Sequence, residues 1–189
     1  MKTFIPQNAI KAACHCMAKK DVRDYLNGCL FDFEHGAVNS LYLISTNGHM
    51  LSAFRIPLDY DEDEQTGNFQ LIIPRDVMLK AAKIKSGVYL ESMPDGRYML
   101  GDIVFSPIDG RYPDYRRVIP TELSGEVSHV SPEYVLAGFN ALADFGEKEI
   151  RLTQNGNSCA VVHAGSSFAL VAIMPRNVEE CTYQGLFSL

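Results

Sequence analysis

The stretch "IIPRDVMLKAAKIK", residues 72–85, joins two apolar residues, a proline and a helical pattern of apolar residues. Proline suits the first turn of a helix, where its missing N–H leaves no hydrogen bond unmade. The same order of features occurs in "FIPQNAIKAACHCMAKK" around Pro6 and in "HVSPEYVLAGFNALADF" around Pro132. The sequence therefore predicts three helices of one type, each preceded by a short apolar segment.

Each predicted helix is followed by alternating segments typical of β-hairpins. Turn signals stand at Asn47-Gly48, at Pro94-Asp95-Gly96 and at Asn155-Gly156, and glycine is favoured in such turns because it tolerates positive φ. All three segments then close on an apolar residue and a proline, at Ile56-Pro57, Ile119-Pro120 and Met174-Pro175. This recurrence predicts an α+β protein built from three βαβββ repeat units.

The number of units sets the expected domain organisation. One helix and three strands cannot cover both sides of a core, so two units are expected to pair. We expect a two-unit domain over residues 1–120, a third, unpaired unit over 121–176, and a C-terminal tail over 177–189. An unpaired unit predicts a partner, and a second copy of the chain is the simplest one.

Composition excludes several classes of protein. The chain has 189 residues, a net charge of −6 and five cysteines. Because no stretch resembles a signal sequence or a membrane span, we expect a cytoplasmic protein with reduced thiols and no membrane contact. Cys14 and Cys16 point apart if they lie on a helix, and no other metal-ligand spacing, nucleophile elbow or phosphate-binding loop occurs. We expect no metal, no cofactor and no catalytic residues, hence no enzyme.

Four segments resemble, in order, the middle domain of the bacterial β sliding clamp of DNA polymerase III: "DVRDYLNGCLFDF", "STNGHMLSAFRIPL", "LIIPRDVMLKA" and "DIVFSPIDGRYPDYRRVIP". Two more, "SPEYVLAGFNAL" and "FALVAIMP", resemble the second half of that clamp's last domain. The resemblance covers roughly residues 3–176 and implies a DNA-clamp fold of about one and a half clamp domains. Clamps of this family close a ring of twelve such units around duplex DNA. Three units per chain then imply a homo-oligomer, a dimer or a tetramer.

The resemblance also implies a face toward double-stranded DNA. Helices of the family line the pore, where their basic residues meet phosphates without reading bases. The matching residues here are Lys11, Lys19, Lys20, Arg23, Lys80 and Lys83. The alternative is a solvated lysine face, and the third helix has no basic residue through its middle.

A second site implied by the resemblance is a hydrophobic cleft that receives short peptides from DNA polymerase and other clamp-binding proteins. The matching residues are Leu26, Thr46, Gly48, His49, Met50, Leu51, Pro113, Arg117, Val118, Ile173, Met174 and Pro175. The alternative interpretation is that these twelve are ordinary core and loop residues without a binding role. Two departures touch the cleft wall, since the family commonly has arginine where Met50 stands and a different sequence after Pro175.

The tail ends in "QGLFSL", which resembles the peptides that clamps bind. Its candidate residues are Gln184, Leu186, Phe187 and Leu189, and the alternative is a tail that docks on its own surface. Together these features predict a noncatalytic, clamp-like DNA-replication protein that binds partner peptides, with encirclement of DNA by an oligomeric ring left open. The alternative function is a clamp mimic or regulator that competes for clamp-binding peptides, or binds a host clamp, without encircling DNA.

Overall fold

The computed structural model describes residues 2–58, 67–166 and 168–177, so the four candidate residues of the tail lie outside it. The strands are β1 (Lys2–Ile5), β2 (Gly28–Glu34), β3 (Ser40–Thr46), β4 (Met50–Pro57), β5 (Phe69–Pro74), β6 (Val88–Ser92), β7 (Tyr98–Leu100), β8 (Ile103–Phe105), β9 (Arg151–Thr153), β10 (Ala160–His163) and β11 (Ala169–Ile173). The helices are α1 (Gln7–Ala13), α2 (Arg75–Ala81) and α3 (Pro132–Phe145), with 3₁₀ turns at Asp24–Leu26 and Tyr115–Arg117.

The α+β class predicted from the repeats is confirmed. The first two units each contribute one leading strand, one helix and three further strands, and the third contributes α3 with β9, β10 and β11. All three turn signals mark a change of strand, and their glycines have positive φ, 86° at Gly48, 81° at Gly96 and 57° at Gly156. Ahead of α3 the chain runs beside the sheet without forming a strand, and His129 O accepts a hydrogen bond from Arg176 N at 2.7 Å.

The first two units exchange their leading strands. One sheet has the order β1-β6-β7-β8, so the first strand of unit one completes the sheet of unit two. Strand β5, the first of unit two, pairs in turn with β2 of unit one. Because each unit completes the sheet of the other, neither forms a whole layer alone.

The third unit joins the sheet of the first unit. Strand β11 lies antiparallel to β4, with Ala169 opposite Phe54 and Ile173 opposite Met50, and this extends the second sheet to seven strands in the order β5-β2-β3-β4-β11-β10-β9. Helix α3 packs beside α1 on one face of that sheet. The physical reason is that β4 would otherwise present an open edge of unpaired backbone groups.

The seven-stranded sheet is apolar on both faces. On the helical face Phe31, Phe54 and Met78 are fully buried in the main core. On the opposite, outer face a smaller cluster contains Leu30 and Ile44. Adjacent strand residues point to opposite faces, so apolar residues at consecutive positions, as in "CLF" at 29–31, indicate a strand covered on both sides. The cover on the outer face is what shapes the site described next.

Candidate functional site

The segment "IDGRYPDYRRVIP", residues 108–120, covers the outer face of the seven-stranded sheet. It begins at the sheet edge, where Ile108 N donates to Ile72 O at 2.9 Å. Tyr112 and Tyr115 are then buried to 6% and 4% exposure within the outer apolar cluster. The Tyr112 hydroxyl donates to Ile44 O at 3.4 Å. These two tyrosines therefore fix the path of the segment across the sheet.

A buried carboxylate anchors the middle of segment 108–120. Asp32, on the outer face of β2, is 4% exposed. Its Oδ2 accepts a hydrogen bond from the Tyr115 hydroxyl at 2.9 Å and lies 3.1 Å from the Arg116 guanidinium, which also pairs with Glu34. Burial and the neighbouring Asp32 carboxylate raise the pKa of Tyr115 well above its usual value, so the phenol stays a donor. Through these two ion pairs Arg116 stabilises the position of segment 108–120 on the sheet.

Between segment 108–120, the β3–β4 turn and the end of β11 lies a cavity of about 180 Å³, which we call the cleft. Its walls are mostly apolar, with a few polar groups at the rim. The lining residues are Arg23, Leu26, Thr46, Gly48, His49, Met50, Leu51, Tyr112, Pro113, Tyr115, Val118, Ala172 and Met174. An apolar concavity with a few placed polar groups is the usual form of a ligand site.

The β3–β4 turn forms one wall of the cleft and is held by local hydrogen bonds. Thr46 Oγ1 donates to Met50 O at 2.7 Å and accepts from Gly48 N at 3.0 Å. Asn47 Oδ1 accepts from the backbone N–H groups of His49 and Met50 at 2.9 and 3.0 Å. This network is an Asx-type turn that closes on a glycine of positive φ. The wall is therefore shaped by backbone and short polar groups.

The opposite wall comes from the third unit. Met174 N donates to His49 O at 2.8 Å, which ties the end of β11 to the β3–β4 turn. The Met174 side chain is 47% exposed, and its sulfur lies 3.1 Å from Cys159 Sγ. The His49 ring stacks on Tyr134 of α3, with ring centroids 5.9 Å apart. Because unit three supplies this wall, the cleft exists only when β11 is paired with β4.

Nine of the twelve residues predicted for the cleft line it, and Arg117, Ile173 and Pro175 do not. Ile173 is fully buried in the main core on the helical face. Alternation along β11 instead turns Ala172 and Met174 toward the cleft, and this period of two was a signal available in the sequence. Arg117 points to solvent and pairs with Asp114 at 3.1 Å.

Sequence reasoning missed four lining residues, which are Arg23, Tyr112, Tyr115 and Ala172. The tyrosines lie inside the segment already singled out, but their inward direction depends on the cluster beneath them. Arg23, which was predicted to face DNA, lines the cleft, and its guanidinium pairs with Asp21 at 2.9 Å. The hydrogen bond from Arg23 holds the pKa of Asp21 at about 2.

The basic residues predicted to face DNA are all exposed, but most are not on helices. Helix α1 ends at Ala13, so Lys19 and Lys20 lie in the loop that follows it, and Lys83 lies just past the end of α2. The two that are helical, Lys11 and Lys80, both have acidic partners: Asp144 at 2.7 Å and Asp76 at 3.2 Å. In the described part of the chain Lys19, Lys20 and Lys83 make no ion pair.

Asp144 joins α3 to α1. Its two carboxylate oxygens lie 2.7 Å from Lys11 Nζ and 2.7 Å from His15 Nε2, and Asn8 Nδ2 donates to Phe145 O at 2.6 Å. Partial burial alone would raise the pKa of Asp144, but the hydrogen bonds from His15 and Lys11 outweigh it, and the pKa lies below its usual value. The third helix thus brings an acidic group to the helical face.

The thiols and acids form no metal centre within residues 2–58, 67–166 and 168–177. Burial raises the pKa of Cys14 to about 11 and that of Cys16 to about 12, so both thiols are protonated at neutral pH. No helix of the same residues is long and apolar enough to cross a membrane.

Comparisons with known proteins agree with this geometry. The family model "DNA polymerase III beta subunit, central domain" matches residues 2–114. The beta sliding clamp of Escherichia coli K12 is 34% identical over 119 residues, which are 59% of this chain and 30% of that protein. The beta sliding clamp of Pseudomonas putida KT2440 is 30% identical over 118 residues, with the same shares of the two chains.

Solved clamps share the fold over nearly the whole chain. The Helicobacter pylori beta clamp bound to a DNA ligase peptide has a TM-score of 0.75 at 15% identity, covering 93% of this chain and 65% of that one. The DNA polymerase III subunit beta of Pseudomonas aeruginosa has a TM-score of 0.72 at 19% identity, covering 94% and 67%.

The strand exchange, the continuous outer sheet and the helical inner layer define a DNA-clamp fold, as predicted. The chain belongs to the DNA polymerase III beta subunit family, whose central-domain model it matches over more than half its length. Its aligned region spans about 30% of the curated sliding clamps that it matches.

Proposed function

We propose that the protein is a noncatalytic, clamp-like DNA-replication protein that binds short peptides of polymerases and other replication proteins in the cleft. The observation that carries the proposal is the preformed apolar cavity between segment 108–120, the β3–β4 turn and β11. Each wall is fixed by hydrogen bonds before any ligand arrives, so little ordering cost remains for the protein on binding.

The chemistry of the cleft suits an extended peptide with large apolar side chains. Leu26 and Leu51 form an apolar floor, and Met174 can change rotamer to fit different residues. Arg23 and His49 at the rim offer donors to polar groups of the peptide. A related protein supports this assignment, since the Helicobacter pylori beta clamp binds a DNA ligase peptide.

The test of peptide binding is a fluorescence anisotropy titration with a labelled DNA ligase peptide. Met174→Lys places a charge in the cleft at a half-exposed position and should weaken binding at least tenfold. Val104→Lys is the matched control, because Val104 is 43% exposed on the other sheet and should leave affinity within twofold of the parent. Equal affinity of parent and Met174→Lys would overturn the proposal.

Encirclement of duplex DNA by a self-assembled ring is the second part of the proposal. If twelve units close a ring, four chains of three units are needed, and sedimentation should give a tetramer of the 21.0 kDa chain. A topological ring is retained on circular DNA and lost after linearisation. A monomer in solution, or equal retention on circular and linear DNA, would contradict the ring. The proposal of peptide binding would not be affected by either result.

A second candidate function is a regulator that competes for clamp-binding peptides without encircling DNA. One observation favours it: α3 carries no lysine, arginine or histidine and brings Asp144 against Lys11 and His15. A helical face on which Lys11 and Lys80 are paired with acids attracts phosphate less strongly than one whose cations are all free. Inhibition of a full-length clamp's polymerase stimulation by this protein, reversed by added polymerase, is the expected result for the regulator.

A further inference from the structure

The mouth of the cleft leaves apolar side chains in contact with water. Val118 is 36% exposed and Met174 is 47% exposed, and both line the cavity. Isolated apolar residues on a convex surface need no explanation, whereas apolar residues that together line an open concavity favour an occupant.

The chain itself leaves the described region at this mouth. Met174 forms part of the wall, and the last described residue, Asn177, stands three positions later. The backbone between them is anchored, because Arg176 N donates to His129 O at 2.7 Å. Residues 178–189 therefore start from a fixed point beside the cleft.

The sequence of residues 178–189, "VEECTYQGLFSL", has its apolar residues grouped at the far end. Leu186, Phe187 and Leu189 follow a spacer that contains two glutamates. Twelve residues span at most about 40 Å when extended, and far less is needed to return to a wall three residues away. Leucine and phenylalanine are side chains that an apolar cavity lined by Leu26 and Leu51 accepts.

We propose that residues 178–189 bind in the cleft of their own molecule, with Leu186 and Phe187 as the apolar anchors. The inference rests on the proposed peptide-binding function of the cleft. Binding within one molecule is favoured over binding to a second copy, because a short tether gives an effective concentration on the order of 1 mM. An external peptide must displace the tail, which lowers its apparent affinity by roughly 10- to 100-fold.

The direct test uses methyl NMR of the full chain labelled at methionine. The variant Leu186→Ala/Phe187→Ala removes both anchors, and Val178→Ala/Thr182→Ala is the matched control in the spacer. We expect the Met50 and Met174 methyl signals to move in the anchor variant and to stay in the control. The signal of Met78, fully buried on the helical face, should not move in either variant. Unchanged Met50 and Met174 signals in the anchor variant would overturn the inference.

Two further outcomes identify other occupants. If the Met50 and Met174 shifts depend on protein concentration and sedimentation shows a larger species, the occupant is the tail of a second copy, and the inference within one molecule is wrong. If the shifts are the same over a tenfold range of concentration, the assignment to a single molecule is supported.

A peptide titration separates this inference from the proposed function. A labelled DNA ligase peptide should bind the anchor variant roughly 10- to 100-fold more tightly than the native chain. If both proteins bind the peptide equally well, the tail does not occupy the cleft, and the proposed function stands. If neither protein binds it while the methyl signals still shift, the tail occupies the cleft, and the proposed function fails for that peptide.

Discussion

The cleft and the helical face of this protein lie on opposite sides of one sheet and are built differently. The cleft is shaped by backbone hydrogen bonds, a buried carboxylate and packed tyrosines. The helical face presents long, exposed basic side chains, two of which are paired with acidic residues of the same face. A surface fixed by packing keeps its shape without a ligand, whereas a charged surface depends on which acids lie nearby. The four variants below test that difference, from the largest expected effect to the smallest.

Asp32→Asn should have the largest effect, because it breaks the anchor of segment 108–120. The change leaves Arg116 without its buried partner and weakens the Tyr115 hydrogen bond, so we expect a loss of about 2–3 kcal/mol in the free energy of unfolding. Urea denaturation measures it, and peptide affinity should fall with stability. Asp109→Asn, an exposed position of the same segment, is the control. A variant as stable as the parent would show that the anchor does not hold the segment.

Gly48→Ala tests whether the β3–β4 turn must keep its left-handed backbone. Gly48 has φ 86°, a conformation that costs alanine about 1–2 kcal/mol, and the added Cβ would lie 3.0 Å from the Arg23 guanidinium. Thermal unfolding should show that loss, and the peptide should bind more weakly. Gly36→Ala, where nothing lies within 4 Å of an added Cβ, should be neutral. Equal melting temperatures for both variants would mean that the turn adapts.

Asp144→Asn tests the charge pairing of the helical face, with a smaller effect because the pair is partly open to solvent. We expect a loss of about 0.5–1 kcal/mol at neutral pH, measured by urea denaturation. The pKa of Asp144 is lowered in the folded protein, so its contribution is present above the ordinary aspartate pKa of about 3.9 and is lost as the pH falls through the lower folded value. The difference between parent and variant should therefore shrink in acid.

The control for the aspartate substitution is Asp76→Asn, whose pair with Lys80 joins two exposed side chains one helical turn apart. We expect no measurable change in stability there. A difference between parent and Asp144→Asn that stays constant down to strongly acidic pH would contradict the assigned role of the carboxylate.

Lys80→Glu/Lys83→Glu should affect stability least, and its readout is DNA association. If these residues meet phosphates, the slope of log affinity against log salt should fall by about 1–2. Lys148→Glu/Arg151→Glu, at two exposed positions beyond the end of α3, is the control with the same change of charge. If the slope of log affinity against log salt is the same in the double variant and the control, Lys80 and Lys83 do not contact DNA phosphates.

The sequence predicted the repeat, the three helices and most of the cleft wall, because proline at a helix start, glycine at a turn and alternation along a strand are local signals. Ile173 was expected in the cleft from the family resemblance, whereas alternation along the strand places its neighbours Ala172 and Met174 at the cleft. Arg23 was expected on the DNA face from the family resemblance, and in the described structure it lines the cleft.

The pairing of β11 with β4 could not be read from the sequence. Any exposed edge strand can accept a partner, and the choice between a strand of the same chain and one of a second copy depends on tertiary geometry. The same limit applies to Lys11, whose partner Asp144 lies on a helix more than a hundred residues away. Local patterns identify the elements, and non-local contacts decide which surfaces they form.

The central claim is that peptides bind in the cleft, and the most direct measurement is a methionine methyl NMR titration with the DNA ligase peptide. The account predicts saturable shifts of the Met50 and Met174 signals, both at the cleft. The signals of Met78, on the buried side of α2, and Met99, on the four-stranded sheet, should stay in place. Shifts at Met78 without shifts at Met50 and Met174 would contradict the account, because they would place the peptide on the helical side of the molecule.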